Sequence, residues 1–265
     1  MKKVISLLLS LAMVISLSTS ALAADVDNIE MDSTVTATRQ VNGISVAASV
    51  SDEQVSNLPH AITDRLQEVD VTLVSVSTHY YDLDPNTGEV TRAVMPEADF
   101  EITVTAAALS STEKAHDDID RTADAYEFMA VGYWYVNPDF EFTDCMGITW
   151  SDDFTLYHDE GYTYTYWNGR KKTDTMTLNE VSAEQGFAYD VDLRLFDRQD
   201  EIVLIGRVYK PNDSGSANVC ASYGHVIIRP SSVEVSFSSG EEIGMSVGLA
   251  AAIEKASPDY DYFNY

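Results

Sequence analysis

Basic side chains are scarce in this sequence. Its 265 residues include 16 Lys and Arg against 43 Asp and Glu, which gives a formal net charge of -27 at pH 7. A chain this acidic repels phosphate backbones and anionic headgroups, so it does not bind nucleic acid or an anionic membrane surface through charge. Disorder is also excluded, because 45% of the residues are hydrophobic and the chain has 15 Tyr, 9 Phe and 3 Trp.

Long hydrophobic runs are missing except at the start. Residues 1–23 combine Lys2 and Lys3 with an apolar run from Val4 to Leu17 and a small-residue Ala21-Leu22-Ala23 site. This order predicts a cleaved signal peptide, and the run is shorter than the ~20 residues of a membrane span. We therefore expect a secreted, extracellular protein with no membrane span after signal removal. An uncleaved anchor is the alternative.

Cysteine is nearly absent. Cys145 and Cys220 are the two in the chain, and both lie in stretches with a strand pattern. Outside the cell two cysteines can pair, so a Cys145–Cys220 disulfide is predicted, with two separately buried thiols as the alternative. No Cys-x-x-Cys spacing supports a structural zinc site.

Helical periodicity is rare, whereas period-two alternation runs through the whole chain. Residues 100–108, 187–195, 233–237 and 243–253 alternate apolar and polar side chains, and the runs 69–76, 126–136 and 202–209 are apolar on both faces. Such double-sided runs fit central strands covered by a second layer. The prediction is an all-β fold: an antiparallel β-sandwich of about a dozen strands with at most one or two short helices.

Turn signals suggest the domain organisation. Asn42-Gly43 predicts a tight hairpin, and residues 57–69 carry a short helical pattern. We expect a signal peptide at 1–23, an N-terminal hairpin and short helix at 24–68, and a β-sandwich domain at 69–265. Segment 24–68 is either docked on that domain or a mobile arm. The acidic stretch 110–124 is predicted to be a long loop.

One motif resembles a serine-hydrolase elbow. Gly244-Met245-Ser246-Val247-Gly248 matches Gly-x-Ser-x-Gly, but no His follows it and the alternation continues through it. A strand is therefore predicted here, with Ser246 in a hairpin with residues 233–237.

Metal-binding patterns are weak. The five His are scattered, and Asp82-Leu83-Asp84-Pro85-Asn86 starts like a calcium loop but lacks its Gly and its closing Glu. Residues Asp117, Asp118, Asp120 and Asp124 form another oxygen-rich segment. No metal site and no cofactor are predicted, with calcium as the only candidate. His116 and His158, each beside two acidic residues, are predicted to lie in solvated loops.

Aromatic residues are concentrated in one region. Residues 126–167 contain 14 of them, including every Trp. Alternation places Tyr162, Tyr164 and Tyr166 on one strand face and Trp167 on the other. Aromatic faces on a sheet can stack on sugar rings, so the candidate ligand-binding set is Trp150, Tyr162, Tyr164, Tyr166 and Trp167. The alternative is that these rings fill the core.

The sequence contains no complete catalytic constellation, so no catalytic residues are predicted. The leading hypothesis is a secreted, non-enzymatic β-sandwich protein that binds a carbohydrate, a cell-envelope glycan or another cell-surface partner. One alternative is a carboxylate-based, glycosidase-like hydrolase with its site on loops. The other is a structural or accessory protein with no small ligand.

Overall fold

The structure, a computed structural model, describes most of the chain after residue 37. The described residues are 38–83, 90–95, 97–136, 143–151, 153–167, 170–192, 201–211, 215–226, 233–236, 244–247, 253–255 and 259–264. The predicted signal peptide and its cleavage site lie outside them. No helix among the described residues is long and apolar enough to cross a membrane.

The described part of the chain is mostly β, as predicted, and contains seventeen strands where about a dozen were expected. In chain order they are β1 Arg39–Val41, β2 Ile44–Val46, β3 Val71–Leu83, β4 Val90–Ala93, β5 Phe100–Leu109, β6 Asp124–Trp134, β7 Thr143–Trp150, β8 Thr155–Trp167, β9 Arg170–Thr175, β10 Thr177–Ser182, β11 Gly186–Asp192, β12 Glu201–Lys210, β13 Ser216–Val226, β14 Val233–Ser236, β15 Gly244–Val247, β16 Ile253–Lys255 and β17 Asp259–Asn264.

Three short helices are described where at most two were predicted: α1 Asp52–Ser56, α2 His60–Glu68 and α3 Ser111–His116. The extra helices depend on local caps. The Ser51 hydroxyl accepts the Gln54 N–H while the Gln54 side chain accepts the Ser51 N–H, a capping box at α1. The Ser110 hydroxyl caps α3. The prediction of a long loop at 110–124 is therefore wrong for residues 111–116, which are helical, whereas residues 117–123 lie outside helices and strands.

Two large sheets hold most of the strands. The first sheet has the order β1-β2-β3-β5-β6-β12-β8-β9, with β4 also paired to β3. The second sheet has the order β10-β11-β7-β13-β16, with β17 also paired to β13. All described pairings are antiparallel except β2 with β3, which is parallel.

The inner faces of the two sheets contribute to one hydrophobic cluster. Phe128 and Leu204 come from the first sheet, and Ile148, Phe187 and Val219 come from the second. All five side chains are fully buried. The alternation predicted for 100–108 is confirmed, and so is that of 187–195 as far as Val191, because the apolar residues enter this cluster. Residues 193–195 lie outside the described residues.

The other face of the first sheet is buried by the N-terminal elements. Met129 and Val203 on that face pack with Ile44 of the β1–β2 hairpin and with Ile62 and Leu66 of α2. The described hairpin and helix therefore pack on the first sheet, and the predicted division into segment 24–68 and domain 69–265 stays a prediction. Helices on one side and the second sheet on the other explain why β6 and β12 are apolar on both faces.

Asn42 and Gly43 close the β1–β2 hairpin as predicted. Both have positive φ angles, 52° and 84°. A two-residue turn of this kind suits the twist of the flanking strands, and Asn and Gly adopt it at the lowest cost.

The motif around Ser246 lies in a strand, as predicted, because β14 and β15 pair with Glu234 opposite Ser246.

The predicted Cys145–Cys220 disulfide is wrong. The two cysteines lie on the neighbouring strands β7 and β13, but Cys145 is opposite Gly224 and Cys220 is opposite Thr149. This register separates them by four residues along the strands, about 13 Å. A disulfide needs Cα atoms within ~7 Å, so the two cysteines are separately buried thiols.

A buried ionic network ties the helices to the first sheet. Glu127 of β6 is fully buried, and its carboxylate accepts hydrogen bonds from Arg65 of α2 and from Arg207 of β12. Arg207 also donates to Asp117, just after α3, at 2.5 Å. Removing water from these charges is costly, so their burial is tolerated only because their partners are in place.

The network shifts the pKa values of its members. Burial acts to lower the pKa of Arg207, but its hydrogen bonds to Glu127 and Asp117 and their negative charges raise that pKa above the ordinary value. Burial acts to raise the pKa of Asp117, but hydrogen bonds from His116, Tyr157 and Arg207 hold it below the ordinary value. Each charge is therefore stabilised by its neighbours.

Replacing Glu127 tests how much the network stabilises the fold. We expect Glu127→Gln to lower the free energy of unfolding by about 3 kcal/mol, because two guanidinium groups lose their shared carboxylate. Urea denaturation measures the change. Glu180→Gln, at an exposed position of β10, is the matched control and should stay within about 0.5 kcal/mol of the parent. Equal stability of the two variants would contradict a structural role for Glu127.

The stability should also depend on Asp117 at low pH. Its folded pKa is lowered, so its contribution is complete above the unfolded carboxyl pKa, about 3.9, and is lost as the pH falls through the folded value. Asp117→Asn should therefore flatten the decline of unfolding free energy as the pH falls below about 4. The exposed neighbouring substitution Asp118→Asn should leave the slope unchanged; the same slope in both variants would refute the assignment.

Candidate functional site

A cavity of about 470 Å³ opens at one edge of the first sheet. Its walls come from α2, from β8 and the edge strand β9, and from β11 of the second sheet. The lining residues are Ala61, Asp64, Arg65, Glu68, Asp159, Glu160, Gly161, Tyr162, Tyr164, Thr173, Thr175 and Tyr189. The volume lies in the range typical of small-molecule sites.

The helical wall is a single stripe of α2. Ala61, Asp64, Arg65 and Glu68 are three, four and seven residues apart, a spacing that places them on one side of a helix. The position of the stripe is fixed at the start of α2. Glu201 of β12 accepts the backbone N–H groups of His60 and Ala61 at 2.8 and 3.0 Å.

The sheet wall is a cross-strand ladder between β8 and β9. Tyr162 is opposite Thr175 and Tyr164 is opposite Thr173, so these four side chains share one face. The two tyrosine rings lie 4.8 Å apart, centroid to centroid. Both tyrosines are half-buried, whereas both threonines are exposed.

Gly161 allows the second sheet to reach the cavity. A Cβ atom at this position would lie 2.6 Å from Cγ of Tyr189, closer than real contacts allow. Without it, the Tyr189 ring lies against β8 and its hydroxyl donates to Asp159 at 2.6 Å. Gly161 is therefore required for the Tyr189 wall, not for a special backbone angle.

A lysine ammonium lies beside the aromatic wall. Lys171 Nζ is 3.5 Å from the centroid of the Tyr164 ring and 3.0 Å from Asp64 Oδ2. Lys171 is the diagonal cross-strand neighbour of Tyr164, which brings its side chain over the ring. Burial disfavours the charge, but Tyr164 and Asp64 raise the pKa of Lys171 above its ordinary value.

The hydroxyls of Tyr162 and Tyr189 stay protonated. Burial, followed by the hydrogen bond and charge of Tyr164, raises the pKa of Tyr162 far above its ordinary value. Burial, followed by Asp159, does the same for Tyr189. These hydroxyls remain hydrogen-bonding groups across the physiological pH range, alongside the carboxylates of Asp64, Glu68, Asp159 and Glu160.

The candidate ligand-binding set is divided by the structure. Tyr162 and Tyr164 line the cavity together. Trp150 does not belong with them: its side chain is fully buried and its Nε1–H donates to the Phe154 carbonyl at 2.9 Å. It fills the core because β7 lies inside the second sheet. Tyr166 and Trp167 end β8, and their side chains lie outside the described part of the structure.

Several cavity residues were missed by sequence reasoning. Asp159 and Glu160 were assigned to a solvated loop with His158, but all three lie in β8. The polar residues of α2 are spaced three and four apart, a pattern that could have predicted a shared helix face, but only the apolar residues of this segment were used. No sequence pattern predicts the position of Tyr189, because its contact with β8 depends on how the two sheets pack.

Glu113, His116 and Asp117 bring three potential metal ligands within 4.8 Å of one another. Their oxygens already have partners. Asp117 Oδ2 accepts from Arg207 and from Tyr157, and Glu113 Oε2 lies 3.4 Å from Arg207. A cation would have to displace a buried guanidinium, so this group fits the ionic network rather than a calcium site.

A buried polar network lies at one end of the core. Tyr223 donates to Asp144, Trp134 Nε1 donates to Tyr223, and Asp144 also bonds Nδ1 of His225. Burial, followed by Asp144, raises the pKa of Tyr223. The four side chains are 0 to 8% exposed, so a substrate cannot reach this Asp–His pair.

The comparisons with known proteins leave the family open. No protein-family model and no curated protein matches the chain. Among solved structures, one named "Pore forming protein" is 7% identical, covers 70% of this chain and 94% of that chain, and has a TM-score of 0.31. A structure on Streptococcus parasanguinis adhesion by Fap1 fimbriae is 11% identical, with 71% and 93% covered and a TM-score of 0.27. Clostridium perfringens delta-toxin is 7% identical, with 71% and 92% covered and a TM-score of 0.25. Likenesses at this level assign no family and no function.

Proposed function

We propose that this chain is a secreted, non-enzymatic β-sandwich protein that binds glycans in the cavity between α2 and the β8–β9 edge. The observation that carries the proposal is the pairing of Tyr162 and Tyr164 in a cavity of about 470 Å³ whose other walls are polar. Aromatic rings offer flat apolar faces, and carboxylates and hydroxyls offer hydrogen-bond partners. Sugar rings present both kinds of surface.

The cavity also has the rigidity that ligand recognition needs. Its tyrosines lie on a paired strand, and its helical wall is anchored by Glu201 and by the Arg65–Glu127 pair. Side chains held this way lose little conformational freedom when a ligand binds. A site on strands and a docked helix is therefore better suited to selective binding than one on long loops.

The architecture and the compartment belong to the same proposal. A sandwich is supported by the hydrophobic cluster that the two large sheets share. Secretion is supported by the signal-like order of residues 1–23. A binding protein that meets glycans outside the cell is consistent with both.

Replacing the tyrosines tests the binding site. We expect Tyr164→Ala to weaken binding of a glycan identified on an array by about tenfold or more, because the ring is lost from the sheet wall. Tyr164→Phe should retain most of the affinity, because it keeps the ring. Isothermal titration calorimetry measures both.

Tyr80→Ala is the matched control. Tyr80 is also a half-buried strand tyrosine, in β3, but it does not line the cavity. Its replacement should leave glycan affinity unchanged. An equal loss in Tyr80→Ala and Tyr164→Ala, or an array without any bound glycan, would contradict the proposal.

A glycosidase-like hydrolase is the second candidate, because four carboxylates line the same cavity. Hydrolysis needs one carboxylic acid and one carboxylate across the scissile bond. The discriminating measurement is prolonged incubation of each bound glycan, followed by mass analysis for shortened products. Intact glycans are the expected result. Products that disappear in both Asp159→Asn and Glu160→Gln would establish the hydrolase instead.

A further inference from the structure

The walls of the glycan cavity carry an excess of negative charge. Asp64, Glu68, Asp159 and Glu160 line it against a single guanidinium, that of Arg65. That guanidinium is already bonded to Glu127 through Nε at 2.9 Å and Nη2 at 2.7 Å. The net charge of -27 on the chain adds a negative background. A positively charged ligand is therefore favoured over a neutral one of the same shape.

The protein itself places an ammonium group at the cavity. Lys171 Nζ lies over the Tyr164 ring and against Asp64, and its pKa is raised there despite partial burial. The ring and the carboxylate therefore already stabilise an ammonium ion in this geometry. Lys171 comes from the edge strand β9 and is about one-third exposed, so its side chain can swing aside into solvent.

We propose that the glycan recognised by this cavity carries free amino groups, as in sugars whose N-acetyl groups have been removed, and that a ligand ammonium takes the position of Lys171 between Tyr164 and Asp64. This inference rests on the proposed glycan-binding function. The sugar ring stacks on the tyrosine wall, and its hydroxyls bond to the remaining carboxylates and to Thr173. A linear polyamine satisfies the charge but leaves those hydroxyl-binding groups unused.

The test compares two oligosaccharides that differ only in their amino groups. A fully de-N-acetylated glucosamine tetramer and its fully N-acetylated counterpart are titrated against the full chain by calorimetry, at mildly acidic pH where the free amines are charged. We expect the first to bind at least about tenfold more tightly, and its affinity to fall as salt is added. Equal affinity refutes the ammonium inference and leaves glycan binding intact. Absence of binding by both refutes the ammonium inference, whereas glycan binding itself is refuted only by an array without any bound glycan.

Two substitutions locate the ammonium. Asp64→Asn should weaken binding of the free amine several-fold more than binding of the N-acetylated tetramer, whereas the exposed control Glu180→Gln should leave both affinities unchanged. Lys171→Ala should raise affinity for the free amine, because the internal competitor is gone. An unchanged or lower affinity in Lys171→Ala shows that the ligand amine does not take the lysine position.

Spermidine tests the sugar part of the inference. Binding of spermidine as tight as that of the de-N-acetylated tetramer would show that charge alone is recognised, and would overturn the assignment to an amino sugar. Spermidine binding that is much weaker supports recognition of the sugar ring together with the amine.

Discussion

The carboxylate of Glu127 is the group on which the arrangement of the helices depends. It lies on a central strand, without contact with solvent, and neutralises one arginine from α2 and another from the next strand. The chain has only 16 basic residues, and two of them serve this single acid. The reason is energetic: a buried carboxylate is tolerated only with charged partners, and each partner then has one allowed position.

This constraint extends to the cavity. Arg65 fixes the rotation of α2 about its axis, and Glu201 fixes its first turn by accepting two backbone N–H groups. Asp64 and Glu68 belong to the same side of the helix as Arg65, so they face the β8–β9 edge whenever Arg65 reaches Glu127. The acidic wall of the cavity thus follows from a structural ion pair on the covered face of the sheet.

Local patterns in the sequence predict the strands well and the site only in part. The Asn42-Gly43 hairpin, the alternation of 100–108 and the helix near residues 60–68 all follow from short-range rules. The short helices α1 and α3 were missed because one or two capping hydrogen bonds decide them. The alternation placed Tyr162 and Tyr164 on one strand face, and the structure does the same. Trp150 was misplaced because the sequence pattern of an aromatic residue is the same in a core and on a surface.

Register and sheet packing are what the sequence does not reveal. The spacing of Cys145 and Cys220 along the chain says nothing about the four-residue offset that separates them on adjacent strands. The contact of Tyr189 with Asp159 likewise needs the two sheets to meet at Gly161. Such contacts join residues that are distant in sequence, and a shift of one residue in register would place each of them on the opposite face.

The polar groups of the cavity have a further property in common. Asp64 is bonded to Lys171, Asp159 to Tyr189 and Arg65 to Glu127, so the walls are held in place before a ligand arrives. A ligand that replaces one of these partners must offer an equivalent bond, because a half-buried charge left without one is costly. If Arg65 were released, the buried carboxylate of Glu127 would lose one of its two arginine partners. Lys171, by contrast, can return to solvent. Under the proposed glycan-binding function, selectivity therefore depends on the Asp64–Tyr164 side, where Lys171 is the easiest partner to replace, and the opposite wall acts as a rigid support.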